Sequence, residues 1–152
     1  MDAKGVPAGR WQGRDLTPRP RTSACTEADG RSRLKTAHAY LEVAELVLTE
    51  EHRMEFFAVA TGAAVLAGIA ASDAITCIRM NCIHRGQNHR EAADLLEKAT
   101  PDGAKLASLL RRLLDLKDAS HYGVDVMSRI KATDAIKWAR ALVDRAQGEL
   151  ER

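Results

Sequence analysis

The chain is 152 residues long with 45% apolar and 29% charged side chains, which suits one domain of ordinary size and excludes two full ones. Aromatic residues make up only 4%, Ala and Leu recur throughout, and β-branched residues never gather into alternating runs. An all-α protein is therefore expected, and a sheet-based enzyme fold is not. With 23 Lys and Arg against 21 Asp and Glu, a formal charge of +2, the balance is too even to point to nucleic acid by itself.

Residues 1 to 30 contain Pro7, Pro18 and Pro20 together with Gly5, Gly9, Gly13 and Gly30, and they show no apolar period. They read as a disordered leader, made mildly basic by Lys4, Arg10, Arg14, Arg19 and Arg21, that serves either as an RNA-touching arm or as a solvated tail. No apolar core follows the first charges, so no signal peptide is expected.

From Leu34 the spacing changes. Leu34, Ala37, Leu41, Ala44 and Leu48 alternate by three and four, which predicts a first helix over 32–50. A second helix is expected over 54–82, and it is apolar on most faces. Its stretch 56–72 carries no charge and approaches the lower length limit for a membrane span. However, Thr61, Gly62 and Gly68 interrupt it, Asp73 follows at once, and neither end has a basic cluster. It is expected to be a buried central helix, with no membrane involved.

Residues 83–88 break the pattern, and Asn88 with Glu91 makes a capping-box-like start for a third helix with the stripe Ala92, Leu95, Leu96 and Ala99. Thr100 is expected to cap a fourth helix, with Pro101 in its first position and Asp102 complementing its dipole. Leu106, Leu109, Leu110, Leu113 and Leu114 form the core face of that helix, and Gly123 ends it. A fifth helix runs from near Asp125 to the C-terminus along Ala132, Ile136, Ala139, Val143, Ala146 and Leu150. No internal repeat is visible. The expectation is an up-and-down bundle of four to five helices over 31–152.

Three groups of residues could carry chemistry. Lys117 and His121 are four apart and share one face if the fourth helix persists to His121. A histidine beside a fixed cation offers a base for a 2'-hydroxyl and a charge for a pentacoordinate phosphate, which is what metal-free RNA cleavage needs. An ordinary histidine near a helix end satisfies the same pattern. Asp73, after its uncharged run, must reach solvent, a hydrogen-bond donor or a cation. Lys117, His121 and His89 are its natural partners, unless the helix simply surfaces there. Cys77, Cys82, His84 and His89 read C-x4-C-x-H-x4-H, but five residues turn a helix by about 500°, so the two thiols diverge. Packing thiols and turn histidines are expected, and no metal. Cys25, Cys77 and Cys82 are too few, and odd in number, for a disulfide framework, and a reducing cytoplasm fits them. No phosphate-binding loop, dinucleotide fingerprint, nucleophile elbow or H-E-x-x-H is present, so no cofactor is expected.

The stretch Leu113-Leu114-Asp115-Leu116-Lys117-Asp118-Ala119-Ser120-His121-Tyr122-Gly123 resembles the signature region of HEPN domains, small helical modules of prokaryotic toxin, defence and RNA-processing systems. Ala70-Ala71-Ser72-Asp73-Ala74-Ile75 and Arg85-Gly86-Gln87-Asn88-His89-Arg90-Glu91-Ala92 resemble a bacterial branch of the same family. The likeness covers about 32–148. It implies a four- or five-helix bundle, usually a homodimer, whose paired Arg and His motifs face each other and cleave RNA without metal. His121 maps onto the motif histidine. The motif arginine falls on Leu114, Asp115 or Leu116, none of which is Arg, and Lys117 is the nearest cation, with Arg111 and Arg112 further back. Lysine lacks the planar fork of arginine. Two readings stay open. In one, Lys117 and His121, supported by Asp73, form a ribonuclease across a homodimer cleft. In the other, favoured by the missing arginine, a non-catalytic domain binds RNA, a nucleotide or a protein through that cleft, with Tyr122, His89 and Arg112 as binding residues.

Overall fold

The computed structural model describes residues 21–50, 53–122 and 127–152, leaving aside the side chains of residues 120–122. The chain is an all-α bundle. Its helices are α1 (Glu27–Leu48), α2 (Glu55–Met80), α3 (His89–Ala99), α4 (Gly103–Tyr122) and α5 (Arg129–Leu150). One short antiparallel ladder, β1 (Thr22–Ala24) on β2 (Cys82–His84), is added, pairing Thr22 with His84 and Ala24 with Cys82.

α2 lies at the centre. Ala67, Ala70, Ala71 and Ala74 are wholly buried along it, together with Val65 and Ile75, against Leu34 and Leu41 of α1, Leu96 of α3, Leu110 and Leu113 of α4, and Leu142 and Val143 of α5. Small side chains let neighbouring helices approach closely, most sharply at Gly68, where a Cβ would stand 2.5 Å from Leu113 Cδ1. α2 is long and apolar enough to cross a membrane, but most of that stretch is covered by the rest of the protein.

Pairs of contacts fix the helix directions. α1 runs against α5 through His38–Gln147 and Glu45–Arg140. α2 runs along α5, with Phe57 under Arg129 at one end and Arg79 beside Glu149 at the other. α4 runs against α5 through Asp102–Arg145 and Arg112–Trp138, and against α3 through Arg90–Asp115 and Arg111–Asp94. Hence α2 and α3 point the same way. The connection over residues 81–88 must climb back along the bundle, and β2 is the part of it that pairs with β1.

Local chemistry sets the boundaries. Residues 21–30, expected within the disordered leader, instead form β1 and the first turn of α1. Thr26 is a true capping box with Asp29: its side chain accepts from the Asp29 N–H at 3.2 Å, and its own N–H donates to Asp29 Oδ2 at 2.8 Å. Residues 1–20 lie outside the described residues. α2 ends at Asn81 in the left-handed conformation, φ 54°. Thr100, expected to cap α4, is instead the C-cap of α3, and α4 begins only at Gly103. The turn between them is so tight that a Cβ on Gly103 would meet the Glu97 carbonyl oxygen at 2.0 Å. Ser128 caps α5 by accepting from the Lys131 N–H, while Gly123 and Asp125, named as the boundaries of the fourth and fifth helices, lie outside the described residues.

The cysteines differ from expectation. Cys25 and Cys77, 52 apart in sequence, form a disulfide with Cα atoms 5.7 Å apart, and Cys82 is free. Loop-rich frameworks need many cysteines, but a single bridge needs only two that the fold brings together.

Candidate polar site beside the α3 N-terminus

The climbing connection delivers His84 to the flank of α2. Its side chain is almost completely buried, and Nε2 lies 3.1 Å from Glu91 Oε2, in the first turn of α3. Glu91 therefore serves His84 and does not close a capping box with Asn88, whose side chain accepts from the Arg90 N–H at 3.1 Å. On the α1 side, Arg33 reaches Asp73: Nε at 3.1 Å and Nη2 at 2.6 Å both donate to Oδ2. Burial pushes the Asp73 carboxyl above the ordinary aspartate range, with Arg33 and, more weakly, His84 pulling it back. The partner of this carboxylate is thus Arg33, where Lys117, His121 or His89 was expected. Arg33 lies at the same level of the antiparallel α1–α2 pair, as Gly30 against Cys77 and Ile78 confirms.

Across the α3 N-terminus lies a cavity of about 240 Å3, lined by Gln87, Asn88, His89, Arg90, Lys117 and Asp118 with Leu114 at its base. Arg90 crosses from α3 to α4 with Nη2 at 2.7 Å from Asp115 and 3.2 Å from Asp118. Burial, and then the positive fields of Lys117 and His84, hold the His89 ring below the usual histidine range, so it is neutral at pH 7. An imidazole, an ammonium, two carboxamides, the Asp118 carboxylate, the Arg90 guanidinium held by two aspartates and the first turn of a helix meet at one opening. Such a set can accept a proton, donate to phosphate or carboxylate oxygens, and hydrogen-bond a base edge.

Of the residues singled out in the sequence, His89 and Lys117 are brought together here. His84 acts electrostatically on both Asp73 and His89, which links the two groups. α4 stays helical through Tyr122, so His121 stands one turn beyond Lys117, while the side chains of His121 and Tyr122 lie outside the described residues. Arg112 does not belong to the cavity. Five residues before Lys117, it is turned about 140° around the helix, and its guanidinium stacks over Trp138 of α5 at 5.7 Å. Cys77 is held by Cys25, and among the described residues no group of three or more His, Cys, Asp and Glu could hold a metal ion. Arg33 went unnoticed in the sequence, while His84 stood out only as a metal ligand, Glu91 only as a capping residue and Arg90 only within the resemblance. Only the His84–Glu91 pair, seven residues apart across a turn, left a local trace.

No known protein family matches the sequence, and no curated protein does.

Proposed function

We propose that the chain is a HEPN-like helical domain that binds RNA or a nucleotide at the His89–Lys117 cavity and cleaves RNA weakly or not at all. The observation that carries this reading is the meeting of His89, Lys117, Gln87, Asn88 and Arg90 around one opening at the α3 N-terminus. The Lys117 ammonium and amide donors at a helix start suit a phosphate, with Arg90 engaged by Asp115 and Asp118, and an imidazole beside them suits a base. The resemblance adds the setting of a toxin, defence or RNA-processing system, and lysine in place of the motif arginine argues against efficient phosphate stabilisation. A protein partner would use the same opening.

A second reading is favoured by one observation, the persistence of α4 through His121. It is a metal-independent ribonuclease in which Lys117 and His121 of two subunits face each other. The dimer has a surface to use. Tyr40, Val43 and Leu46 of α1 and Val59 and Leu66 of α2 are exposed, and the antiparallel register that pairs Arg33 with Asp73 runs Tyr40 level with Leu66.

Incubating purified protein with total RNA in EDTA separates the two. The binding reading expects intact RNA. The nuclease reading expects fragments that disappear by about 10²-fold or more in His121→Ala. Sedimentation at tens of micromolar tests the dimer, and Leu66→Glu should shift it to monomer.

A further inference from the structure

The corner where β1 enters α1 holds reactive chemistry that the polar site does not use. Cys77 is wholly buried in α2, whereas Cys25, its disulfide partner, is half-buried and immediately precedes Thr26, the N-cap of α1. Beside Cys25 opens a second cavity, about 310 Å3, whose walls include Asp29, Ser32, Arg33 and Arg85. Arg33 is engaged with Asp73, and Asp29 is bound into the capping box. Arg85 is exposed and makes no ion pair among the described residues, so it is the cation this cavity offers to an incoming molecule, beside the carboxylate of Asp29.

We infer that Cys25 is a site of reversible S-thiolation by a small thiol that carries a carboxylate. The incoming thiolate attacks Cys25 Sγ from the cavity, and a new S–S bond forms there while the Cys25–Cys77 bond breaks. The electron pair goes to Cys77 Sγ, which takes up the proton the incoming thiol has lost. One thiol and one disulfide enter, and one thiol and one disulfide leave, so no oxidant or reductant is consumed. Burial closes Cys77 to attack and directs the reaction to Cys25. The released Cys77 thiol has an acceptor waiting, because Cys77 Sγ lies 3.0 Å from the Thr26 carbonyl oxygen. Arg85 selects for a carboxylate on the thiol that approaches.

The full chain, purified without reductant, is incubated with equal concentrations of reduced glutathione, which carries carboxylates, or cysteamine, which carries an ammonium. Acid quenching, intact mass and peptide mapping then read the products. The expected product is a mixed disulfide at Cys25, formed about tenfold faster with glutathione than with cysteamine, and Arg85→Glu should remove or invert that preference with the helical circular dichroism unchanged. Cys77→Ser, which leaves Cys25 as a thiol, should take up glutathione from its oxidised form at Cys25 even if the bridge itself proves necessary for full stability. Adducts at Cys77 or Cys82, equal rates for the two thiols, or purified protein with no Cys25–Cys77 linkage would each overturn the assignment.

Discussion

Arg33 of α1 places both Nε and Nη2 on a single oxygen of Asp73, forty residues away on α2, where the carboxylate side chain is only 13% exposed. Desolvation works against this carboxylate, and the guanidinium compensates. Removing the cation should therefore cost more than removing both groups. Arg33→Met is expected to destabilise by about 2 to 4 kcal/mol, and Arg33→Met with Asp73→Leu by clearly less. Urea unfolding of the two variants and of wild type checks this, and additive losses would contradict it.

A second buried carboxylate lies at the same end of the bundle, about two turns further along α2. Glu149 of α5 has a wholly buried side chain, with Arg145 Nε at 2.8 Å from Oε1 and Arg79 Nη1 of α2 at 3.5 Å from Oε2, and Oε2 itself accepts no hydrogen bond among the described residues. Glu149→Ala removes one partner from Arg145, which keeps Asp102, and from Arg79, which is partly exposed and keeps the Ala99 carbonyl. It is expected to destabilise by about 1 to 3 kcal/mol, whereas Glu151→Ala, on the exposed end of the chain, should stay within about 0.5 kcal/mol.

Stability should also fall in acid through Asp102. Hydrogen bonds from Arg145 at 2.5 and 2.8 Å, with a further one from Thr100, hold its carboxyl down to about 2 against an ordinary 3.8. A group whose folded pKa is depressed stabilises the fold above its unfolded pKa, and that contribution disappears as pH falls through the folded value. The stability gap between wild type and Asp102→Asn should be full at pH 7, begin to close below about pH 4, and vanish near pH 2. Asp73, shifted upward, acts with the opposite sign, so Asp73→Asn should not reproduce this profile. Urea midpoints across pH decide between them.

How far the sequence can be read follows from which interactions are local. The five apolar periods report helices because a 3.6-residue repeat is written within one element, and the near-uniform apolarity of α2 already required it to be surrounded. The need of Asp73 for a partner was legible for the same reason. Arg33 was not, because nothing local links residues forty apart. The start of α1 was recoverable in principle, since Thr26 and Asp29 have capping-box spacing, but the surrounding prolines and glycines masked it. The direction of the 81–88 connection was not, and with it went His84, Glu91 and the disulfide. β1 and β2 pair across the whole of α1 and α2 in sequence, so none of those contacts is written within one element.

The proposed binding of RNA at the His89–Lys117 cavity has a direct test. The most direct measurement is fluorescence anisotropy of a labelled single-stranded RNA titrated with protein in EDTA, comparing wild type with His89→Ala, Lys117→Ala and Arg112→Ala. Saturable binding is predicted. It should weaken about tenfold in Lys117→Ala, with a smaller salt dependence, and comparably in His89→Ala, while Arg112→Ala, on the Trp138 side of α4, binds like wild type. Equal affinity in wild type, His89→Ala and Lys117→Ala, or a loss confined to Arg112→Ala, would contradict the account.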